Sequence, residues 1–334
     1  MTLNKKEHSY MLDRAYTDMM KFLLCMMIFI HHFFTTTAFP YVEWMGYVGC
    51  TIFFFFSVYG VLLSQMKKKL SLISFLRYRL TKLWVPLMFV NLTAIIIASA
   101  VNRECGAPSF TPANVHYFFY KENLLTFKTL LLLIDYQKMD SVTWFVHELL
   151  AAYLLIWVLC KINKRVFRLL LAIAFFMAVE AYFFHEVMNK WYKIDTVGIL
   201  IGYLYVDYKN EISTFFSRYR APMISICTLI FFAALFIPKF VSVQSTFIKL
   251  LLEITYSSMA VLLIILVEPY FKIQHIKLAS WAGSISLYVY LIHCKVMGFL
   301  SPTTFLPCIL VILLAATLFD ILFSPIINTL NKTK

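Results

Sequence analysis

The chain has 334 residues, of which 61% are apolar and 14% charged, and its mean hydropathy is +0.78. A soluble domain averages about 45–50% apolar and 25% charged residues, so this composition excludes a water-soluble globular protein. It indicates an all-α, polytopic membrane helix bundle, and the net charge of +13 belongs to basic loops flanking apolar spans rather than to a nucleic-acid surface.

Ten apolar runs predict about ten transmembrane helices: 19–37, 46–66, 84–101, 143–160, 169–185, 194–208, 221–238, 250–268, 278–299 and 304–324. Each is near the ~20 residues that a bilayer requires. No repeat or composition break divides the chain, so residues 1–334 are read as one integral membrane domain. About 18 polar residues precede the first run, with no small-residue cleavage site, so that run reads as a retained helix. With the N-terminus inside, the inner segments carry 21 of the 30 basic residues, which predicts both termini in the cytoplasm.

The first span opens DMMKFLLCMMIFIHH, from Asp18 to His32. On a helix, Lys21 and His32 are three turns apart on nearly one meridian, and Asp18 lies within half a right angle of it. His31 points about a quarter-turn away. The polar stripe thus reaches about 16 Å into the helix at 1.5 Å per residue. Ionisable groups at that depth need a partner or a wet cavity, so they are functional candidates, while a single packed histidine is the plainer reading.

The second span, GYVGCTIFFFFSVYGVLLS, sets Ser57, Tyr59 and Gly60 behind a phenylalanine run. Small and polar residues there predict a close helix contact. KKKLSLISFLRYRLTKLWVP follows. Its lysines are an ordinary flank, but Phe75–Leu83 reads as an amphipathic turn at the inner interface. Arg79 and Lys82 lie on one side of it, with Leu76, Leu80 and Leu83 on the other. The cations suit either lipid phosphates or a bound pyrophosphate. Pro86 is expected to start or kink span three.

The connection 102–142 contains Leu124–Ile134, apolar but too short to span, which suggests a re-entrant or interfacial helix. Trp144, His147 and Glu148 then stand near the outer face, where Trp144 suits an aromatic belt and Glu148 beside His147 either lines a vestibule or sits in water. Glu180 lies deep in span five and requires a partner. Span six is short and contains Gly198 and Gly202. In span nine, AGSISLYVYLIHCKVMG, the residues Ser286, Tyr290 and His293 share a helical face with Cys294 at its margin. Two histidine-bearing stripes suggest one polar cavity. The seven cysteines are scattered, with no CxxC and no His/Cys ligand spacing, so neither a disulfide framework nor a metal site is expected.

Taken in order, these stretches resemble the acyltransferase-3 family of integral membrane O-acyltransferases. The first helix resembles the family's acid, basic residue and histidine, here Asp18, Lys21 and His32. Ser57-Val58-Tyr59-Gly60 resembles its Ser-Gly-Tyr-Gly segment. Phe75, Arg79, Lys82 and Pro86 resemble its Phe-Leu…Arg-x-x-Arg…Pro element, and Trp144-Phe145 and the Ser286–His293 helix complete the set. Lysine stands for arginine at 21 and 82, and Val58 for glycine.

The resemblance implies transfer of an acyl group, usually acetyl from acetyl-CoA, to a carbohydrate hydroxyl in a bacterial inner (cell) membrane. His32 would be general base on the acceptor hydroxyl or would carry the acyl group itself, with Asp18 beside it in the catalytic set. Lys21, Arg77, Arg79 and Lys82 would bind the polyanionic acyl-CoA, which is a co-substrate, no bound cofactor being expected. Ser57, Tyr59, Trp144, Glu148, Tyr290 and His293 would line the cavity or hold the acceptor. The rival reading is a transporter for a polar or lipid-linked solute, which predicts matched halves with broken helices in corresponding positions.

Overall fold

The computed structural model describes residues 12–36, 42–101, 144–186, 196–240, 246–271, 273, 275–300 and 304–332. Among these residues the chain is all-helical. Ten α-helices follow one another: α1 (Arg14–Thr36), α2 (Glu43–Lys68), α3 (Leu72–Val101), α4 (Trp144–Leu159), α5 (Arg165–Glu186), α6 (Val197–Asp207), α7 (Lys209–Phe240), α8 (Thr246–Val267), α9 (Ile276–Phe299) and α10 (Phe305–Lys332). A single 3₁₀ turn, Glu268–Tyr270, follows α8. Among the described residues, five stretches are long and apolar enough to cross a membrane: Arg14–Phe34, Trp44–Lys68, Lys209–Pro238, Phe247–Tyr270 and Phe305–Asn331. The interfacial helix expected at Leu124–Ile134 falls outside the described residues.

The chain forms two compact units. The first comprises Met1–Leu24, Glu43–Leu70 and Ala151–Gly283; the second comprises Cys25–Val42, Ser71–Leu150 and Ser284–Lys334.

In the first unit, α6 lies directly on α2, and glycine makes this possible. A Cβ at Gly198 would sit 2.0 Å from the Thr51 carbonyl oxygen, and one at Gly202 would sit 3.1 Å from the Phe55 oxygen and 3.1 Å from the Val58 Cβ. The close contact expected around Gly60 is therefore made elsewhere, because a Cβ at Gly60 would meet nothing within 4 Å. Val58 is buried and faces Gly202, so the bulk on α2 is matched by its absence on α6. Phe53, Phe54, Phe55 and Phe56 are all buried, which makes the phenylalanine run packing material rather than a lipid face.

Polar groups in this unit are tied down. Asp207 accepts from Arg168 Nη2 at 2.6 Å, Arg168 Nε at 3.3 Å and the Tyr203 hydroxyl at 2.9 Å. At the end of α2, Lys69 takes a left-handed φ of 48°, and Gln65 Nε2 and Trp157 Nε1 both donate to the Leu70 carbonyl, at 2.9 and 3.3 Å. Helix α7 bends at Tyr219 (φ −119°, ψ 22°), three residues before Pro222. The proline ring clashes with the carbonyl four residues earlier and displaces the backbone there.

In the second unit, α3 packs on α10 through stacked Phe89 and Phe323, their ring centroids 4.1 Å apart. Pro86 neither starts nor ends a helix. The interfacial turn and span three are one 30-residue helix with the proline inside it, at the position where the Lys82 carbonyl forgoes its usual backbone donor. The apolar side of the turn also differs from expectation. Phe75, Leu83 and Leu87 are buried, whereas Leu80 is exposed. Asp320 of α10 accepts from Ser284 at 2.8 Å and from Ser324 at 2.6 Å, so this acid within an apolar helix is bonded on both oxygens.

Candidate active site

The second unit brings together the two histidines that sequence placed on separate helices. His32 of α1 stacks on His293 of α9, with ring centroids 5.2 Å apart and planes at 26°. His31 meets His32 edge-on at 4.8 Å, and Tyr290 lies 5.7 Å from His293. Phe145 of α4 closes on Tyr290 at 5.3 Å. His31, Ser286, Tyr290 and His293 are buried, while His32 is half-buried.

Two backbone carbonyls set the protonation pattern. His293 Nδ1 lies 2.5 Å from the Tyr290 oxygen, and His31 Nδ1 lies 3.3 Å from the Val42 oxygen. A carbonyl can only accept, so Nδ1 is the donor in both rings. In its neutral form each imidazole then carries its lone pair on Nε2. His293 sits on α9 one turn after Tyr290, so the same helix supplies the ring and the group that orients it. Phe29, Phe33 and Phe305 pack on one another, with centroids 4.9–5.8 Å apart, and keep this part of α1 apolar.

The cations of α3 belong to the same unit. Arg79 lies over the rings of Phe75 and Tyr78, at 5.6 and 5.2 Å, and Lys82 lies 4.7 Å from the Tyr78 ring. Tyr78 thus holds both charges on one turn. Arg77 donates to the Leu330 carbonyl at 3.1 Å near the end of α10, a capping contact. Lys82 is exposed and Arg79 half-buried.

The remaining expected residues are distributed over both units. Asp18 and Lys21 are in the first unit, where Asp18 bonds Lys21 at 3.7 Å and Arg14 at 3.5 Å. A Cβ at Gly283 would lie 2.5 Å from the Asp18 Cβ, so this acid occupies a notch in α9. Ser57 and Tyr59 are also in the first unit. The Tyr59 hydroxyl accepts from the Leu12 amide at 2.9 Å and the ring packs on Tyr205 at 5.8 Å. Glu148 is half-buried at the start of α4 in the second unit. The side chains of Trp144, His147 and Glu180 fall outside the described residues.

Sequence set Cys294 at the margin of the α9 stripe and gave Lys295 no place in it. Cys294 is half-buried, and one ligating atom from each of His32, His293 and Cys294 lies within 4.8 Å of the others. Lys295 is buried, with Nζ donating to the Leu291 carbonyl at 3.2 Å. A lysine within an apolar run was its only sequence signal.

A family model described as an acyltransferase domain matches residues 14–328, nearly the whole chain. No curated protein and no solved structure matches it. The chain belongs to the acyltransferase-3 family.

Proposed function

We propose that this member of the acyltransferase-3 family moves an acyl group, with acetyl the expected one, from cytoplasmic acyl-CoA to a hydroxyl of a cell-envelope or exported glycan. The observation that carries the reading is the His32–His293 pair, held at 5.2 Å in a unit that also contains Arg79 and Lys82. The ten helices would all cross a bacterial inner membrane, with both termini and the cationic turn of α3 on the cytoplasmic side.

In this reading the polyanionic donor is met by Arg79 and Lys82, with Arg77 fixing their helix against α10. Lys21, paired with Asp18, adds to the basic inner face, and Asp18 serves as its counter-ion. His32 takes the proton from the acceptor hydroxyl as the oxygen attacks the thioester carbonyl. The carbon–sulfur bond then breaks, and the imidazolium returns the proton to the departing CoA thiolate. In the covalent variant, the His32 ring attacks the thioester first and expels the CoA thiolate; the hydroxyl then attacks the acyl-imidazole, the carbon–nitrogen bond breaks, and the released ring takes up the hydroxyl proton. His293, its Nδ1–H committed to the Tyr290 carbonyl, orients His32 by stacking. Tyr290, with Ser57, Tyr59, Trp144 and Glu148, is assigned to the acceptor or to the cavity wall.

The test is release of free CoA when membranes containing the protein meet acetyl-CoA and a glycan extract. His32→Ala should lower the rate by about 10²–10⁴-fold, the usual contribution of general acid–base catalysis, while the protein accumulates normally. Full activity in that variant ends the assignment. Solute uptake without CoA release identifies a transporter instead.

A further inference from the structure

We infer that His32, His293 and Cys294 form a binding site for a zinc-class divalent metal ion, and that filling it silences the transferase. The three ligating atoms come from two helices of one compact unit and lie within 4.8 Å of one another. Two imidazoles and a thiolate are the donor set that favours borderline and soft ions such as zinc over magnesium or calcium.

Tetrahedral zinc takes nitrogen at about 2.0–2.1 Å and sulfur at about 2.3 Å, so its donors sit roughly 3.3–3.8 Å apart. The atoms of this cluster have up to about 1.5 Å to close. His293 is fully buried and anchored on the Tyr290 carbonyl, so that movement falls to His32 and Cys294.

The orientation of His293 is also that of a ligand. Metal-binding histidines usually donate their second ring N–H to a carbonyl or carboxylate, which fixes the tautomer and the ring plane. The Tyr290 carbonyl does this for His293, directing the lone pair to Nε2. Three protein donors leave a fourth position for water or another small ligand, the pattern of an open rather than a purely structural site. On binding, the Cys294 thiol loses its proton to solvent and its sulfur bonds the metal. No local motif betrays the site, because its ligands are 261 and 262 positions apart along the chain.

The consequence for activity rests on the function proposed above; the coordination does not. A lone pair of His32 bonded to a metal cannot accept a proton or an acyl group. Zinc should therefore inhibit acyl transfer, and a chelator should restore it.

The experiment uses the full chain, purified in detergent and stripped of metal. Titration with Co²⁺ should give one ion per chain and a thiolate-to-cobalt charge-transfer band, which Zn²⁺ then erases. Cys294→Ser should abolish the band and weaken zinc binding by about 10-fold or more, since even outer-shell changes cost that much. His293→Gln keeps the thiolate and should weaken the titration to a similar extent, which covers the case of a serine variant that does not accumulate. An absent band in the folded wild-type chain, or an unchanged titration in either variant, overturns the site. Stoichiometric zinc with undiminished CoA release would leave the coordination standing and remove His32 from the chemistry.

Discussion

Replacing Gly198 by alanine tests the contact between α6 and α2 directly. The added Cβ would fall 2.0 Å from the Thr51 carbonyl oxygen, 3.0 Å from its carbonyl carbon and 3.2 Å from the Phe54 Cβ. Ordinary contact begins near 3.4 Å, so the helices must part by roughly 1.4 Å along that direction. The obstacle is backbone, which no rotamer change can remove. Overpacking of this kind costs about 1–3 kcal/mol, and a rigid obstacle places it at the upper end. Alanine returns about 1 kcal/mol of helix propensity. The net loss is about 2 kcal/mol, read as a lower thermal midpoint of the detergent-solubilised protein. Gly60→Ala is the matched control. It makes the same propensity gain and meets no neighbour within 4 Å, so its midpoint should hold or rise. A Gly198→Ala protein as heat-resistant as Gly60→Ala would refute the close approach.

Arg79→Ala should raise the acetyl-CoA concentration needed for half-maximal CoA release by about 10-fold or more, the worth of one charged hydrogen bond, with little change in saturated rate. An unaltered donor dependence would reduce the cationic turn to a lipid anchor. Asp207→Asn should strip Arg168 of its counter-charge and lower stability by about 2 kcal/mol, less than a fully buried pair because both side chains keep some exposure; an unshifted melting midpoint would show that the fork contributes nothing. Gly283→Ala should force Asp18 out of its notch, since the new Cβ would lie 2.5 Å from the Asp18 Cβ. Asp18→Gly should then relieve the loss in the double variant, and strictly additive midpoints would exclude the contact.

The helices were readable because apolar runs of membrane length leave the backbone no alternative. The His32 and His293 stripes were readable for a related reason, since polar atoms inside such runs must face something. What those stripes would face was less legible. Cys294 and Lys295 follow His293 directly, yet composition treats a cysteine as apolar and a lysine near a helix end as a loop charge. Only the helix pairing reveals that one joins the histidines and the other is buried. A close helix contact was expected around Ser57, Tyr59 and Gly60; Tyr59 does pack on Tyr205, but Gly60 meets nothing within 4 Å, and the glycines that admit the partner backbone are Gly198 and Gly202. A single sequence shows which glycines exist, while the partner backbone decides which of them are used. Pro86 was expected to start or kink span three; it starts none, but lies inside one 30-residue helix, because a proline removes one backbone bond and the surrounding turns carry the helix through.

The bend at Tyr219 solves a problem of length. A straight helix over the 32 residues Lys209–Phe240 would measure about 48 Å, whereas the hydrocarbon layer is about 30 Å deep. The residues after the elbow make about 31 Å, matching that depth; Lys209, Glu211 and Arg218 precede it and Arg220 follows it directly. In a bilayer the charged arm would suit the headgroups, with Glu211 paired to Arg165 at 2.8 Å, and its apolar continuation is long enough to cross. Removing the proline at 222 would straighten this elbow and drive the two arginines toward the acyl chains, a mismatch that the bilayer would have to absorb by thickening or the helix by tilting.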